Sequence, residues 1–211
     1  MKRFLLLLTI LFSVSLYGQD TVTIVHKHYT TMFSKSLHYP VVVKFWLTKQ
    51  MFACDDPVKR TDDFRPDPAL PDETNVNKYY EHSGYDRGHN MDAYDNSCDI
   101  DGMHESFFYS NMCPQTPGLN RGEWKSLEEY CRKSAQQYDS VLVWCGSVTT
   151  TGRLMGIVSI PDYCWKIVYI KSLDSVQAFS YANDASKAQP LDSYRVTVDS
   201  VQHLSGIQFI H

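Results

Sequence analysis

Apolar and polar residues partly alternate through residues 21–30, TVTIVHKHYT, and the run YPVVVKFWLTK at residues 39–49 is dense in β-branched and aromatic residues. Both patterns predict strands, because such side chains pack well on a pleated, half-buried surface. Residues 55–74 are rich in Pro and Asp and read as a loop. Pro114 and Pro117 forbid a continuous helix, but from Asn120 the period changes: Trp124, Leu127 and Cys131 fall at i, i+3 and i+7, one apolar stripe for a core. Asn120, with Glu123 three residues on, resembles a capping box that would start this helix. Residues 140–148, 165–170 and 175–182 predict further strands, with an extended piece around GIVSIPDY, and the tail predicts a short strand and a short helix at 198–204. Strands dominate, one clear helix sits in the middle, and no βαβ alternation occurs. The fold class is therefore α+β with a mostly antiparallel sheet.

The first residues show a different pattern. MKRFLLLLTILFSVSLYGQ begins with two basic residues, continues with an apolar run and ends in small and polar residues. Residues 1–19 read as a secretory signal peptide, the run being shorter than the roughly 20 apolar residues a transmembrane helix needs. The alternative is a buried N-terminal helix. The rest, residues 20–211, has no repeat or long linker and suits one domain, which 211 residues at 43% apolar content can supply with a core. The reading implies a secreted or periplasmic protein with no membrane attachment after cleavage.

Charge and cysteines narrow the classes. The formal net charge of −4, becoming −6 without Lys2 and Arg3, argues against a protein that coats nucleic acid. An enzyme that must release its product needs only a local basic patch. Six cysteines, Cys54, Cys98, Cys113, Cys131, Cys145 and Cys164, suggest disulfides in an exported chain, with free buried thiols as the alternative. No Cys-x-x-Cys pair occurs, which disfavours structural zinc, and His26, His28 and His38 read as strand and turn residues rather than a second metal site.

The candidate chemistry lies in YDRGHNMDAYD and the segment after it. Hydrolysis of a phosphodiester needs a base for water, a cation for the charge that develops, and donors that hold the phosphate. His suits the first, Mg²⁺ with few protein ligands the second, and the planar Arg fork the third. Arg87 and His89 are two apart, so on a strand they share a face, and Gly88 between them permits close approach. Asn120 and Glu128, eight apart on one helix, would differ by roughly 80° and look to one side. Arg132 is placed to pair with Glu128 at i+4.

DRGH followed by SNMCPQTPGLNRGEWKSLE resembles the DNA/RNA non-specific endonuclease family of the ββα-metal nucleases. The resemblance rests on Asp86, Arg87, Gly88 and His89, then Asn111, Pro114, Gln115, Leu119, Asn120, Gly122, Trp124, Leu127 and Glu128, and covers most of the chain beyond residue 19. It implies a ββα-metal nuclease fold with a metal-bearing helix, and an enzyme that cuts DNA and RNA with little sequence preference to 5′-phosphate ends. His89 would be the general base and Asn120 the direct ligand of a hydrated Mg²⁺, or of Mn²⁺ in its place. Glu128 would hold the metal-bound waters, Arg87 and Arg60 would contact phosphate, Asn111 would support the site, and Arg132 would act on the product side. Many family members have an apolar residue and Ala-Pro after the motif histidine; here Asn90-Met91-Asp92 stands there, which predicts an acidic rim formed by Asp92 and Asp95. A catalytically silent binding relative, or a phosphoesterase for small substrates, remain the competing readings.

Overall fold

The computed structural model describes residues 20–148, 152–184 and 189–209; the expected signal peptide lies outside them. Eleven strands appear among these residues: β1 (Thr21–Val25), β2 (Tyr29–Ser34), β3 (Tyr39–Thr48), β4 (Asp86–His89), β5 (Met112–Gln115), β6 (Ser140–Val148), β7 (Arg153–Leu154), β8 (Val158–Ser159), β9 (Tyr163–Ile170), β10 (Ser175–Ala182) and β11 (Arg195–Val196). The helices are α1 (Asn77–Tyr80), α2 (Ile100–Ser106), α3 (Pro117–Arg121), α4 (Glu123–Tyr138) and α5 (Val198–Ser205).

Seven strands form one sheet in the order β1-β2-β3-β6-β9-β10-β11, every neighbouring pair antiparallel. The α+β class with an antiparallel sheet is thus as the hydrophobic pattern implies. One strand expectation is corrected: residues 21–30 are a hairpin, not a single strand, because the His26 N–H turns back to the Tyr29 carbonyl at 2.8 Å. Helix α2 has no counterpart in the sequence pattern. Only seven residues long, it is too short to show a clear period.

Alternation along the central strands sorts side chains onto two faces. Val41, Val43, Phe45 and Leu47 of β3, Val141, Val143 and Cys145 of β6, Val168 of β9 and Phe179 of β10 meet Trp124, Leu127, Cys131 and Ala135 of α4 in one buried cluster. The opposite face, with Val42, Leu142, Trp144, Trp165 and Ile167, packs under Val201 of α5 and Phe209. Sheet neighbours β3 and β6 are far apart in sequence. Residues 49–139, which intervene, carry β4, β5, α3 and α4 and hold every candidate site residue. The β4–β5 pair succeeded by α4 is the ββα unit.

The expected helix from Asn120 is also corrected. Thr116 caps α3 with its hydroxyl on the Leu119 N–H, so Asn120 is inside α3 rather than its cap. At Gly122 the chain breaks and α4 starts anew. A Cβ at Gly122 would sit 2.6 Å from the Gly118 carbonyl oxygen, so a side chain there is excluded by the break itself. The apolar stripe of α4 is as expected: Trp124, Leu127 and Cys131 are buried. None of the described helices is long and apolar enough to cross a membrane.

Candidate active site

Strand β4 pairs with β5 through Arg87 opposite Pro114, Gly88 opposite Cys113 and His89 opposite Met112. The pairing is tight at Gly88, where a Cβ would overlap the Gln115 side chain. Arg87 and His89, two apart, open into one cleft of about 820 Å³, whose walls also include Arg60, Asn120, Glu128 and Arg132. Six of the seven candidate residues therefore meet. Asn111 is the exception, fully buried behind the cleft.

His89 is 6% exposed, with Phe107 edge-on at 5.1 Å and Phe64 at 5.7 Å. Its Nε2 is buried without a hydrogen-bond partner. Burial, with the Arg60 charge added, pulls the imidazole down to about 4, so it is neutral and able to accept a proton at ordinary pH. The backbone of His89 is fixed from the helix side, since the Trp124 indole N–H donates to its carbonyl oxygen at 2.9 Å. Asn111 fixes the chain just beyond His89: its Oδ1 accepts from the Met91 N–H at 3.0 Å and its Nδ2 donates to the Met91 and Ser106 carbonyls at 2.8 and 2.9 Å.

Arg87 is held in an aromatic nest. Its Nε donates to the Tyr109 hydroxyl at 2.8 Å and its Nη2 to Asn77 Oδ1 at 2.9 Å, with Phe64 and Tyr80 rings at 5.3 and 5.5 Å. Arg60 is more exposed, donating to Asp62 at 2.7 Å and lying 4.9 Å over Phe107. The ring that walls His89 thus also carries an arginine toward the cleft.

Asn120 donates its Nδ2 to Asp86 Oδ2 at 3.0 Å, which leaves the amide oxygen as the atom that could ligate a cation. Asp86 is itself clamped by Arg121, with Nε and Nη2 at 2.8 and 2.7 Å. Burial opposes its charge, but these donors outweigh it and hold its carboxyl below the usual range. In the sequence Asp86 is only a member of the motif, with no role of its own. Its orienting role depends on contacts with residues 34 and 35 positions away, which no local pattern signals.

Glu128 is 8% exposed, and burial followed by the Asp92 charge pushes its carboxyl well up. Arg132 does not pair with it, contrary to the i+4 expectation: Nη1 donates to Asp92 at 2.6 Å and Asp95 at 3.0 Å instead. These acids approach the guanidinium from another element, Asp95 in the 3₁₀ turn Ala93–Asn96 and Asp92 as its N-cap, while Glu128 lies along the same helix as Arg132. The same contacts correct the acidic rim. Asp95 is buried and Asp92 lies in the cleft wall, and the two share the single charge of Arg132. Burial opposes ionisation of Asp92, yet Arg132 keeps it low, while burial and the Asp92 charge push Asp95 up to about 7. A buried Lys166 on β9, 4.4 Å over the Trp124 ring, adds positive charge beneath this group.

This is a site of converging oxygen donors beside a neutral histidine. The sequence profile of a DNA/RNA non-specific endonuclease matches residues 9–211. The chain belongs to that family. It is 34% identical over 168 residues to a nuclease of Nostoc sp., covering 72% of this chain and 61% of that protein. Against the mitochondrial nuclease EXOG of Homo sapiens the identity is 30%, covering 69% of this chain and 45% of the relative. Nuclease 1, mitochondrial, of Schizosaccharomyces pombe is 28% identical over 88% of this chain and 65% of its own length. The chain thus spans between 45% and 65% of these relatives. A crystal structure of the EndoG/EndoGI complex superposes with TM-score 0.80 at 26% identity, covering 93% of this chain and 89% of that one.

The remaining candidates resolve simply. Cys54 and Cys98 form a disulfide, while Cys113, Cys131, Cys145 and Cys164 are free and buried. His26 pairs with Asp67, His28 with Asp99, and His38 lies 2.9 Å from the Glu73 carbonyl.

Proposed function

We propose that this protein is a sugar-non-specific endonuclease that hydrolyses phosphodiester bonds of DNA and RNA to 5′-phosphate ends with a divalent cation, Mg²⁺ or Mn²⁺. The observation that carries the reading is a neutral, buried His89 whose Nε2 has no partner, in a cleft shared with Asn120, Glu128 and four arginines. His89 Nε2 takes a proton from a water, whose oxygen attacks phosphorus in line with the departing 3′ oxygen. Arg60 and Arg87 hold the phosphate, and Asn111 keeps the turn after His89 in place. Arg132, tied to Asp92 and Asp95, braces the product side.

The donor set suits a hard cation. Among the described residues no three His, Cys, Asp or Glu side chains gather as a metal cage, which favours an ion that keeps most of its waters. Asn120 Oδ1 would be the direct ligand, while Glu128, whose buried carboxyl gains from a nearby positive charge, would hold its waters. When bound, the cation neutralises charge on the phosphate and on the leaving oxygen.

Residues 1–19 fit an export signal, and the Cys54–Cys98 disulfide suits an oxidising compartment, so we place the mature protein outside the cytoplasm. The decisive experiment uses purified protein lacking residues 1–19. It is expected to nick and then degrade plasmid DNA and RNA in Mg²⁺, to stop in EDTA, and to lose roughly 10²- to 10⁴-fold in rate on His89→Ala. Full activity in His89→Ala would overturn the mechanism. Inactivity of the wild type on every polynucleotide would favour a binding relative or a small-substrate phosphoesterase.

A further inference from the structure

Tyr94 takes no part in the roles above, yet it lies in the cleft wall at 65% exposure. Other exposed large apolar side chains, such as Val25, Met155 and Leu173, lie away from the cleft. An aromatic ring left in water inside a polar cleft forgoes its burial energy, which amounts to roughly 1.5–3 kcal/mol for a large apolar side chain. Its backbone is nevertheless anchored on both sides. Ala93, Asp95 and Asn96 around it are buried, and Cys98, four residues on, is tied to Cys54. One side of the ring is covered by the Arg132 guanidinium at 5.2 Å, and that guanidinium is itself clamped by Asp92 and Asp95. The result is a fixed aromatic surface, backed by a cation, in the same cleft as Arg60, Arg87 and His89.

We propose that Tyr94 is a nucleobase-stacking subsite, receiving an unpaired base beside the phosphate held at Arg60 and Arg87. This rests on the endonuclease reading for its substrate. Stacking suits an enzyme with little sequence preference, because every base offers a π-face while none of its edges is read. A base on Tyr94 has left its helical stack, so single strands and frayed ends are favoured over intact duplex.

The test compares a short oligothymidylate with an abasic chain of the same length and backbone, by cleavage in Mg²⁺ and by equilibrium binding in EDTA. The wild type should show a KM and a dissociation constant about tenfold lower for oligothymidylate than for the abasic chain. Tyr94→Ala should make the two chains alike, and Tyr94→Trp should keep the preference. A wild type indifferent to the bases, or a Tyr94→Ala protein that retains the preference, overturns the proposal. So does a Tyr94→Ala protein weakened equally on both chains, since that marks Tyr94 as only a support for Arg132. If the wild type cleaves neither chain but shows the Tyr94-dependent preference in EDTA, the catalytic reading fails and the subsite stands.

Discussion

At the scale of single residues, His89 owes its neutrality to burial, with the Phe64 and Phe107 rings among its walls. An imidazole held to about 4 is neutral in the folded protein where the unfolded chain, at about 6.5, already takes up a proton. Below pH 6.5 the unfolded state therefore binds more protons, so this residue lowers stability as the pH falls, by a total of about 3 kcal/mol when pH 4 is reached. Histidine NMR of the cation-free protein should show His89 neutral at pH 5.5; a charged ring there would contradict the burial argument. Asp86 holds the Asn120 amide, so on the proposed reading it acts through Asn120 rather than on substrate. Asp86→Asn should raise the Mg²⁺ concentration for half-maximal rate by roughly 10- to 100-fold, the usual cost of losing an orienting partner. An unchanged Mg²⁺ dependence would show that Asn120 needs no such support. Arg87, His89, Asn120 and Glu128 are legible as candidates in the sequence because residue type and spacing point to a chemistry. Asp86, Lys166 and the pairing of Arg132 are not, because each depends on partners brought together only by folding.

At the scale of elements, the working unit is the β4–β5 pair with helices α3 and α4. Gly88 is required less for the approach of substrate than for Gln115 on the neighbouring strand. Gly88→Ala should destabilise the fold by about 1–3 kcal/mol in urea titration, as overpacking does, and Gln115→Ala in the same protein should recover part of the loss. Additive losses in the double variant would remove Gln115 as the cause. The amphipathic stripe of α4 is plain in the sequence, since Trp124, Leu127 and Cys131 obey the helical period. Its start is not, because Asn120 and Glu123 resemble a cap, whereas the break at Gly122 comes from a backbone contact with Gly118 that composition does not reveal.

At the scale of the molecule, the long excursion between β3 and β6 packs back on one face of the sheet through Trp124, Leu127 and Cys131 of α4. The Cys54–Cys98 disulfide closes 44 residues of that excursion, including Arg60, Arg87 and His89. Its removal by Cys54→Ser with Cys98→Ser should cost about 2–4 kcal/mol in denaturant unfolding. Alkylation after unfolding should label four thiols without reductant and six with it; six without reductant would rule the disulfide out. Apolar periodicity alone determined that this chain makes an antiparallel sheet with a helix across it, because burial rewards the same face of every element. Motif spacing determined which side chains are candidates for the chemistry, because a base, a cation ligand and phosphate donors are specified by functional group. Only the tertiary structure decided that Cys54 pairs with Cys98, that Arg132 binds Asp92 and Asp95, and that Tyr94 stands open in the cleft. Those choices depend on distances between elements remote in sequence, and such distances exist only once the sheet has closed its core.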